Sequence, residues 1–328
     1  MTVFELIAAG ARQLSAAGVT FGHGTCNAFD EAAWLVLWQL GLPLDTPLER
    51  RNSVSNQVPT PEQQTQITKL ISARIESRKP AAYLTHEAWL QGLSFYVDER
   101  VIVPRSLIAE LLVSGAIDPW LDAATRQVLD LCTGNGSLAV LAALTYPEIN
   151  VDATDISADA LAVARINIDR YQLQQRIILL TSNGLASVHG PYDLILCNPP
   201  YVNAASMANL PAEYRAEPAL ALDGNAAGGS DGMDFIRQLL HDAPTHMTEM
   251  AVLVLEIGHE REHFEAAFPR LEAVWLETSA GIDQVLLLTR HALVTHYQRR
   301  PDFHGGPDPQ ITAVHEHDAV PPQPNSAP

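Results

Sequence analysis

The sequence is poor in basic residues and has no long apolar run. It has 20 lysines and arginines against 38 acidic residues, which gives a net charge of −18. Binding to duplex DNA or RNA requires cations that neutralise phosphates, so we do not expect direct binding to duplex nucleic acid. A basic protein would instead be attracted to such a surface. No apolar run reaches the ~18 residues of a membrane-spanning helix, so no association with a membrane is expected.

Cysteine is also scarce, with only Cys26, Cys132 and Cys197, all far apart in the chain. This spacing predicts neither a disulfide framework nor a zinc site, and we expect three buried, inert thiols. The amino terminus lacks the basic stretch and cleavage site of a secretory leader. These features favour a protein of the reducing cytoplasm.

The most informative segment is Asn198-Pro199-Pro200-Tyr201, here called the NPPY segment. It follows an apolar run, residues 192–197, which is typical of a buried strand in a parallel sheet. Proline cannot extend such a strand, so the chain leaves the sheet at the edge where open α/β folds bind ligands. The side-chain oxygen of Asn198 and the carbonyl of Pro199 can accept hydrogen bonds from one planar NH2 group, and Tyr201 can pack against its flat face. A loop whose asparagine only caps a turn is the alternative.

A glycine-containing loop follows an earlier strand, predicted at residues 128–131. Gly134 and Gly136 allow a tight turn and a close approach of the backbone to a ligand. The next strand leads to Asp155, which is placed to bind the hydroxyls of a ribose. This pattern alone also fits an NAD-dependent oxidoreductase. Together with the NPPY segment it favours a site for S-adenosylmethionine.

The rest of the sequence predicts a small helical domain, a hairpin and then alternating strands and helices, which is typical of a doubly wound α/β sheet. The amino-terminal helices are expected at 3–18, 28–40 and 61–78, and the hairpin over 87–103. Strands are expected near 126–131, 149–154, 177–181, 192–197, 251–256, 273–276 and 284–289. Further helices are expected near 106–118, 137–145, 157–170, 232–246 and 260–268. The last two strands are close enough to pair antiparallel at one edge.

The segment from Val202 to Gly232 is long for a loop in a compact domain. It carries Glu213, Arg215 and Glu217. We expect it to hold the substrate peptide, and a mobile surface insertion is the alternative.

Taken together, these motifs resemble the protein N(5)-glutamine methyltransferases of the HemK/PrmC and PrmB type. The likeness extends over roughly residues 1–293 and is closer to the PrmB branch. It is carried by residues 78–89, 95–100, 104–106, 130–134 and 210–218, in addition to the NPPY segment. The resemblance implies methyl transfer from S-adenosylmethionine to a glutamine side chain of the large-subunit ribosomal protein L-three. The oligomeric state is left open.

The resemblance also implies a class I S-adenosylmethionine methyltransferase with a Rossmann-like, seven-stranded, doubly wound sheet. The implied divisions are a helical amino-terminal domain at 1–84, a β-hairpin linker at 85–105, the methyltransferase domain at 106–293 and a disordered tail at 294–328.

Roles for individual residues follow from the resemblance in the same way. The implied catalytic residues are Asn198, Pro199 and Tyr201. The implied cofactor-binding residues are Asp130, Thr133, Gly134, Gly136, Asp155, Asn183 and Asn198. The implied substrate-binding residues are Pro200, Tyr201, Arg105 and Glu217, and no metal site is implied. Asn183 stands where relatives commonly have aspartate, so we expect weaker cofactor binding. For Arg105, an interdomain ion pair is the alternative.

Three further functions compete with this interpretation. A peptide chain release factor is the alternative substrate. An amino methyltransferase for DNA or RNA bases would face the same chemical problem, although the net charge of −18 argues against it. A non-catalytic adaptor on a methyltransferase fold is the third, and Asn183 is its only support.

Overall fold

The computed structural model describes residues 1–49 and 53–298. Most of the predicted tail, from residue 299 onward, lies outside the described residues. Its predicted start at 294 is wrong, because the chain is helical from Arg290 to Gln298. Ala292 and Leu293 of this helix are buried, which explains why the ordered chain continues past the last strand. No helix in the described part is long and apolar enough to cross a membrane.

The amino-terminal part is helical, as predicted. Its helices are α1 (Val3–Ala16), α2 (Ala28–Gln39), α3 (Pro61–Ser77) and the unpredicted α4 (Ala81–Thr85). Helix α1 begins with a capping box, in which the Thr2 hydroxyl accepts from the Glu5 amide and the Glu5 carboxylate accepts from the Thr2 amide. Such reciprocal caps satisfy backbone N–H groups that have no partner inside the helix.

The hairpin is shorter than predicted. It consists of β1 (Ala88–Leu90) and β2 (Leu93–Phe95), which pair antiparallel. Beyond it, the Asn167 side chain takes the place of a partner strand, since it accepts from the Tyr96 amide and donates to the Tyr96 carbonyl. Val97, Val101 and Val103 are buried in the core of the helical part without strand pairing. The predicted extent of the hairpin, 87–103, was therefore too long.

The larger sheet has seven strands in the order β5-β4-β3-β6-β7-β9-β8. The strands are β3 (Gln127–Leu131), β4 (Asn150–Asp155), β5 (Ile177–Thr181), β6 (Tyr192–Cys197), β7 (Met247–Glu256), β8 (Val274–Thr278) and β9 (Gly281–Thr289). The first five are parallel, and β9 runs antiparallel to both β7 and β8. The predicted doubly wound α/β sheet with an antiparallel pair at one edge is confirmed.

Helices cover both faces of this sheet. They are α5 (Ile108–Ser114), α6 (Ser137–Thr145), α7 (Ala158–Arg170), α10 (Asp234–Asp242), α11 (Arg261–Ala267) and α12 (Arg290–Gln298), while α8 (Ala204–Ala208) and α9 (Ala212–Arg215) lie between β6 and β7. Alternate residues of β3 point to opposite faces, so Val128 joins the core under α5, α6 and α7, and Leu129 joins the core under the last three helices. Burial on both faces explains the continuous apolar runs of the central strands.

Strand order determines where the two sequence motifs meet. The chain crosses from β3 to β4 on one side and later returns to β6 on the other, so a crevice forms beyond the carboxyl ends of these strands. Leu131 of β3 pairs in register with Cys197 of β6. The glycine loop and the NPPY segment therefore leave the sheet side by side. The domain boundaries at residues 84 and 105 stay predictions.

Candidate active site

A cavity of about 190 Å3 opens beyond the carboxyl ends of β3, β4, β5 and β6. The predicted site residues that line it are Gly134, Asp155, Asn183, Asn198 and Pro200. They come from the loops after four different strands, so only the folded sheet brings them together. The glycine loop and the NPPY segment share one cavity, as the sequence predicted.

The two glycines of the loop have different roles. Both have positive φ, +54° at Gly134 and +80° at Gly136. A Cβ on Gly134 would have no heavy atom within 4 Å, so the backbone here faces open space that a ligand can approach. A Cβ on Gly136 would lie 3.1 Å from the Cβ of Ala164 in α7. Gly136 thus allows helix packing and does not line the cavity, and its predicted contact with the cofactor stays a prediction.

Asp130 and Thr133 hold the loop from below. Asp130 is fully buried, and its Oδ2 accepts hydrogen bonds from the Thr133 hydroxyl and from the Ala139 amide, at 2.5 and 3.0 Å. Burial raises the pKa of Asp130 to about 7 against the opposing effect of these bonds. Its Oδ1 has no hydrogen-bond partner within the described chain. Neither residue lines the cavity. Both support the loop, and their predicted cofactor contacts stay predictions.

Asp155 lies at the cavity wall and fixes the glycine loop. Its Oδ2 accepts from the Gly134 amide at 3.0 Å, and its Oδ1 accepts from the Ser157 amide at 2.9 Å. Burial raises the pKa of Asp155, and the backbone N–H groups act in the opposite direction. Each carboxylate oxygen has a second lone pair, so Asp155 can still accept bonds from ligand hydroxyls. Asn183 is exposed at the rim of the same cavity.

The NPPY segment presents its acceptors to this cavity. Asn198 is half-buried and lines the cavity together with Pro200, and Pro199 between them is buried. Within the residues that the structure describes, no hydrogen bond engages the Asn198 side chain or the Pro199 carbonyl. Polar groups this close to a core are normally paired, so the Asn198 side chain is available to a ligand in the cavity. Pro199 does not line the cavity, and the predicted role of its carbonyl stays a prediction.

Tyr201 packs behind the segment and does not line the cavity. A Cβ on Gly258, which follows β7, would stand 2.6 Å from its ring. Burial and the nearby Glu256 carboxylate raise the pKa of Tyr201, so its hydroxyl stays protonated at neutral pH. Its predicted contact with the substrate amide stays a prediction. The Tyr201 ring supports the NPPY backbone from the side of β7.

The chain from Val202 to Gly232, here called the bridging loop, folds back on the NPPY segment. The Val202 amide donates to the Leu222 carbonyl at 2.8 Å. The Asn225 side chain donates to the Val202 carbonyl and accepts from the Gly232 amide, at 3.0 and 2.9 Å. The loop also contains α8 and α9, so it is a folded element with its own hydrogen bonds.

Arg105 and Glu217 form one ion pair between the hairpin side and the bridging loop. The guanidinium donates to both carboxylate oxygens, at 2.6 and 2.8 Å, and the Val103 amide donates to one of them at 2.9 Å. The Nε2 of His23 lies 3.4 Å from the other oxygen. Burial acts to raise the pKa of Glu217, but His23 and Arg105 outweigh it and lower the value to about 2.

The predicted substrate contacts of Arg105 and Glu217 stay predictions. Glu217 is buried with both oxygens engaged, and neither it nor Arg105 lines the cavity. Their observed role matches the interdomain ion pair that the sequence left open for Arg105. Glu213 is likewise buried and contacts Arg78 at 3.1 Å and Arg74 at 3.6 Å, so it does not face a substrate either. The bridging loop therefore ties the amino-terminal helices to the cavity, which Pro218 of the same loop lines.

Several cavity residues were not predicted. They are Arg100, Val101, Ile102, Ile156, Leu220 and Phe235, among others. Ile156 directly follows Asp155, so the sequence already indicated that it lies beside the cavity. The others come from segments far apart in the chain, and no local pattern marks them.

The cysteine prediction is partly wrong. Cys197 is buried at the end of β6, but Cys132 is only half-buried at the cavity wall and Cys26 is exposed. Cys26 lies in the loop before α2, which leaves its side chain in solvent. Among the described residues, no group of three or more His, Cys, Asp or Glu side chains is placed to hold a metal ion.

This chain is similar to several known proteins. The family model of the methyltransferase small domain matches residues 109–217. The ribosomal protein uL3 glutamine methyltransferase of Bordetella pertussis is 52% identical over 90% of this chain and 97% of its own length. The protein of the same name from Burkholderia pseudomallei is 49% identical over 88% of this chain and 94% of its own length. Among solved structures, the hMettl16 catalytic domain in complex with MAT2A 3'UTR hairpin 1 aligns with a TM-score of 0.48, at 16% identity over 79% of this chain and 90% of its own.

Proposed function

The chain belongs to the family of ribosomal protein uL3 glutamine methyltransferases, and on that basis we propose that it methylates the side-chain amide nitrogen of a glutamine in uL3. The methyl donor is S-adenosylmethionine. The observation that carries the proposal is that Asn198 lines the same cavity as Gly134 and Asp155. An acceptor suited to a carboxamide thus lies beside a loop suited to a nucleoside.

The residues of the cavity fit the methyl donor. Asp155 would accept from the ribose hydroxyls, and Asn183 at the rim would face the adenine amino group. The open backbone at Gly134 leaves room for the methionine part. When bound, S-adenosylmethionine supplies a methyl group on a positively charged sulfur.

The chemical problem is the weak nucleophilicity of an amide nitrogen, whose lone pair is delocalised into the carbonyl. We assign the Asn198 oxygen and the Pro199 carbonyl the task of accepting the two N–H bonds of the glutamine. Holding the NH2 group in this way orients the nitrogen. The same two oxygens carry partial negative charge and stabilise the positive charge that develops on nitrogen. Support comes from the absence of other hydrogen-bond partners for either acceptor within the described chain.

The choice of substrate is supported by charge. A protein with a net charge of −18 attracts a basic ribosomal protein and repels a free nucleic-acid duplex. We therefore propose free uL3 as the substrate and no direct contact with duplex nucleic acid. Since the substrate is a ribosomal protein, we also propose that the enzyme acts in the cytoplasm.

The test is methyl transfer to purified uL3, followed by mass spectrometry of its peptides. Asn198→Ala removes one of the two acceptors, and we expect turnover to fall by ~100-fold or more, the usual effect of losing one preorganised polar group. Cofactor affinity, measured by calorimetry, should change little. Asn150→Ala is the matched control, because Asn150 is exposed at the opposite end of the sheet.

Two outcomes would refute the proposal. Wild-type enzyme that binds S-adenosylmethionine and leaves every glutamine of uL3 unmodified would exclude the substrate. An Asn198→Ala enzyme as fast as Asn150→Ala would exclude the proposed role of the acceptor pair.

A further inference from the structure

A second, larger groove lies between the amino-terminal helices and the hairpin. Its volume is about 920 Å3, and it is open to solvent along one side. Trp34 and Trp38 of α2 form its floor, and Trp89 of β1 forms part of its wall. Trp89 keeps 45% of its surface exposed, which is unusual for this side chain. We call this feature the amino-terminal groove.

The amino-terminal groove and the cofactor cavity share a wall. Val103 and Pro104 line the groove, whereas Val101 and Ile102, immediately before them, line the cavity. The chain from 101 to 104 therefore separates the two spaces, with its first two residues on the cavity and its last two on the groove. A polypeptide with its glutamine at Asn198 can therefore extend over this wall into the groove.

The charged residues of the groove are acidic. Asp30, Asp45 and Glu87 line it, and no lysine or arginine does so among the residues that the structure describes. No hydrogen bond or ion pair engages the carboxylates of Asp45 and Glu87 in that part of the chain. Unpaired carboxylates in the same groove as the exposed Trp89 ring favour a cationic ligand, through ion pairs and cation–π contacts.

The groove also offers a hydrogen-bond donor without a partner. Only 7% of the surface of Trp34 is exposed, and its Nε1 has no hydrogen-bond acceptor within the described residues. A buried indole N–H normally finds an acceptor. The backbone carbonyl of a bound polypeptide would reach this donor only after the side chains that cover it move aside.

We propose that the amino-terminal groove binds a lysine- or arginine-containing segment of uL3 that lies apart from the methylated glutamine. This inference rests on the proposed function and adds a second contact site for the same substrate. The acidic lining excludes an RNA strand as the occupant, since phosphates would be repelled. The groove would raise the affinity for the whole protein without touching the reacting atoms.

The test compares two charge-reversed enzymes as full-length chains. Asp45→Lys combined with Glu87→Lys reverses the groove. Glu148→Lys combined with Glu249→Lys makes the same change of charge at exposed positions near the amino ends of the strands. A second pair compares Trp89→Ala with Met250→Ala, since Met250 is 79% exposed and lies away from both sites.

We expect the groove variants to raise the KM for uL3 by about tenfold or more, while kcat and the affinity for S-adenosylmethionine stay at wild-type values. The KM of the wild type should rise with salt, and that of the charge-reversed groove variant should rise less. Both controls should stay within about twofold of the wild type.

Direct binding of fluorescently labelled uL3 to each enzyme gives a readout that does not depend on methyl transfer. If the wild type binds uL3 and the groove variants do not, the groove proposal is supported even when uL3 is not methylated. The groove proposal and the proposed function can therefore fail independently of each other. Equal binding and equal KM in the groove and control variants would overturn the inference. A change in sedimentation without a change in uL3 binding would overturn it as well, because the occupant would then be a second copy of the chain.

Discussion

The ion pair of Glu217 and Arg105 provides a quantitative test of how the bridging loop is held. The pKa of Glu217 falls from its ordinary value of 4.5 to about 2 in the folded chain. At about 1.4 kcal/mol per pH unit, this corresponds to roughly 3 kcal/mol of stabilisation at neutral pH. Arg105 keeps 26% of its side chain exposed, and water there reduces the loss, so we expect Glu217→Gln to cost about 2–3 kcal/mol.

The pH dependence has a defined direction. Because the folded-state pKa lies below the unfolded one, the stabilisation is complete above pH 4.5 and is lost as the pH falls from 4.5 towards 2. The difference between wild type and Glu217→Gln should therefore be about 1 kcal/mol smaller at about pH 3.5 than at about pH 7.

The assay is denaturant unfolding followed by tryptophan fluorescence. The matched control is Glu265→Gln, which breaks an exposed pair with Arg261 (Nε to Oε1, 2.8 Å) and should cost under about 0.5 kcal/mol. Equal unfolding midpoints for the two variants, or a Glu217→Gln effect that does not change with pH, would refute the reasoning.

Two further predictions concern the cavity. Asn183→Asp adds a charged acceptor at the rim, so we expect S-adenosylmethionine to bind several-fold more tightly in calorimetry. Asn150→Asp makes the same change away from the cavity and should leave the affinity unchanged. Unchanged affinity in Asn183→Asp would contradict a contact with adenine. Gly258→Ala places a Cβ 2.6 Å from the Tyr201 ring at φ +53°, and we expect turnover to fall by about tenfold or more while cofactor affinity is kept. The control is Gly18→Ala, which has the same backbone strain at φ +60° but no heavy atom within 4 Å; equal turnover in the two variants would exclude a role for the ring.

The sheet and the positions of its two motifs could be predicted because their signals are local. The central strand β6 is a mostly apolar run buried on both faces, and the run ends where the NPPY segment begins. The capping box at Thr2 is similarly contained within four residues. Alternation of strands and helices predicted a doubly wound sheet, whereas the strand order is known only from the structure.

The errors arise where a side chain distant in sequence replaces an expected local partner. Asn167 pairs with the backbone of Tyr96 from 71 residues away, which ends the hairpin earlier than its apolar pattern suggests. Arg105 pairs with Glu217 from 112 residues away, so an acidic residue that seemed available to substrate is buried in an ion pair. A sequence pattern shows that such groups are charged, and only the fold shows what neutralises them.

The prolines of the NPPY segment bear on the discrimination between glutamine and glutamate. Neither Pro199 nor Pro200 has a backbone N–H, so this stretch of the cavity wall offers carbonyl oxygens and no main-chain donor. A glutamate side chain of nearly the same shape would bring two negatively charged oxygens against these acceptors with no hydrogen to share. Sites that depend on a substrate's N–H groups reject analogues without them by roughly 10^4-fold or more. A target protein whose glutamine has been deamidated to glutamate should therefore not be methylated by the enzyme.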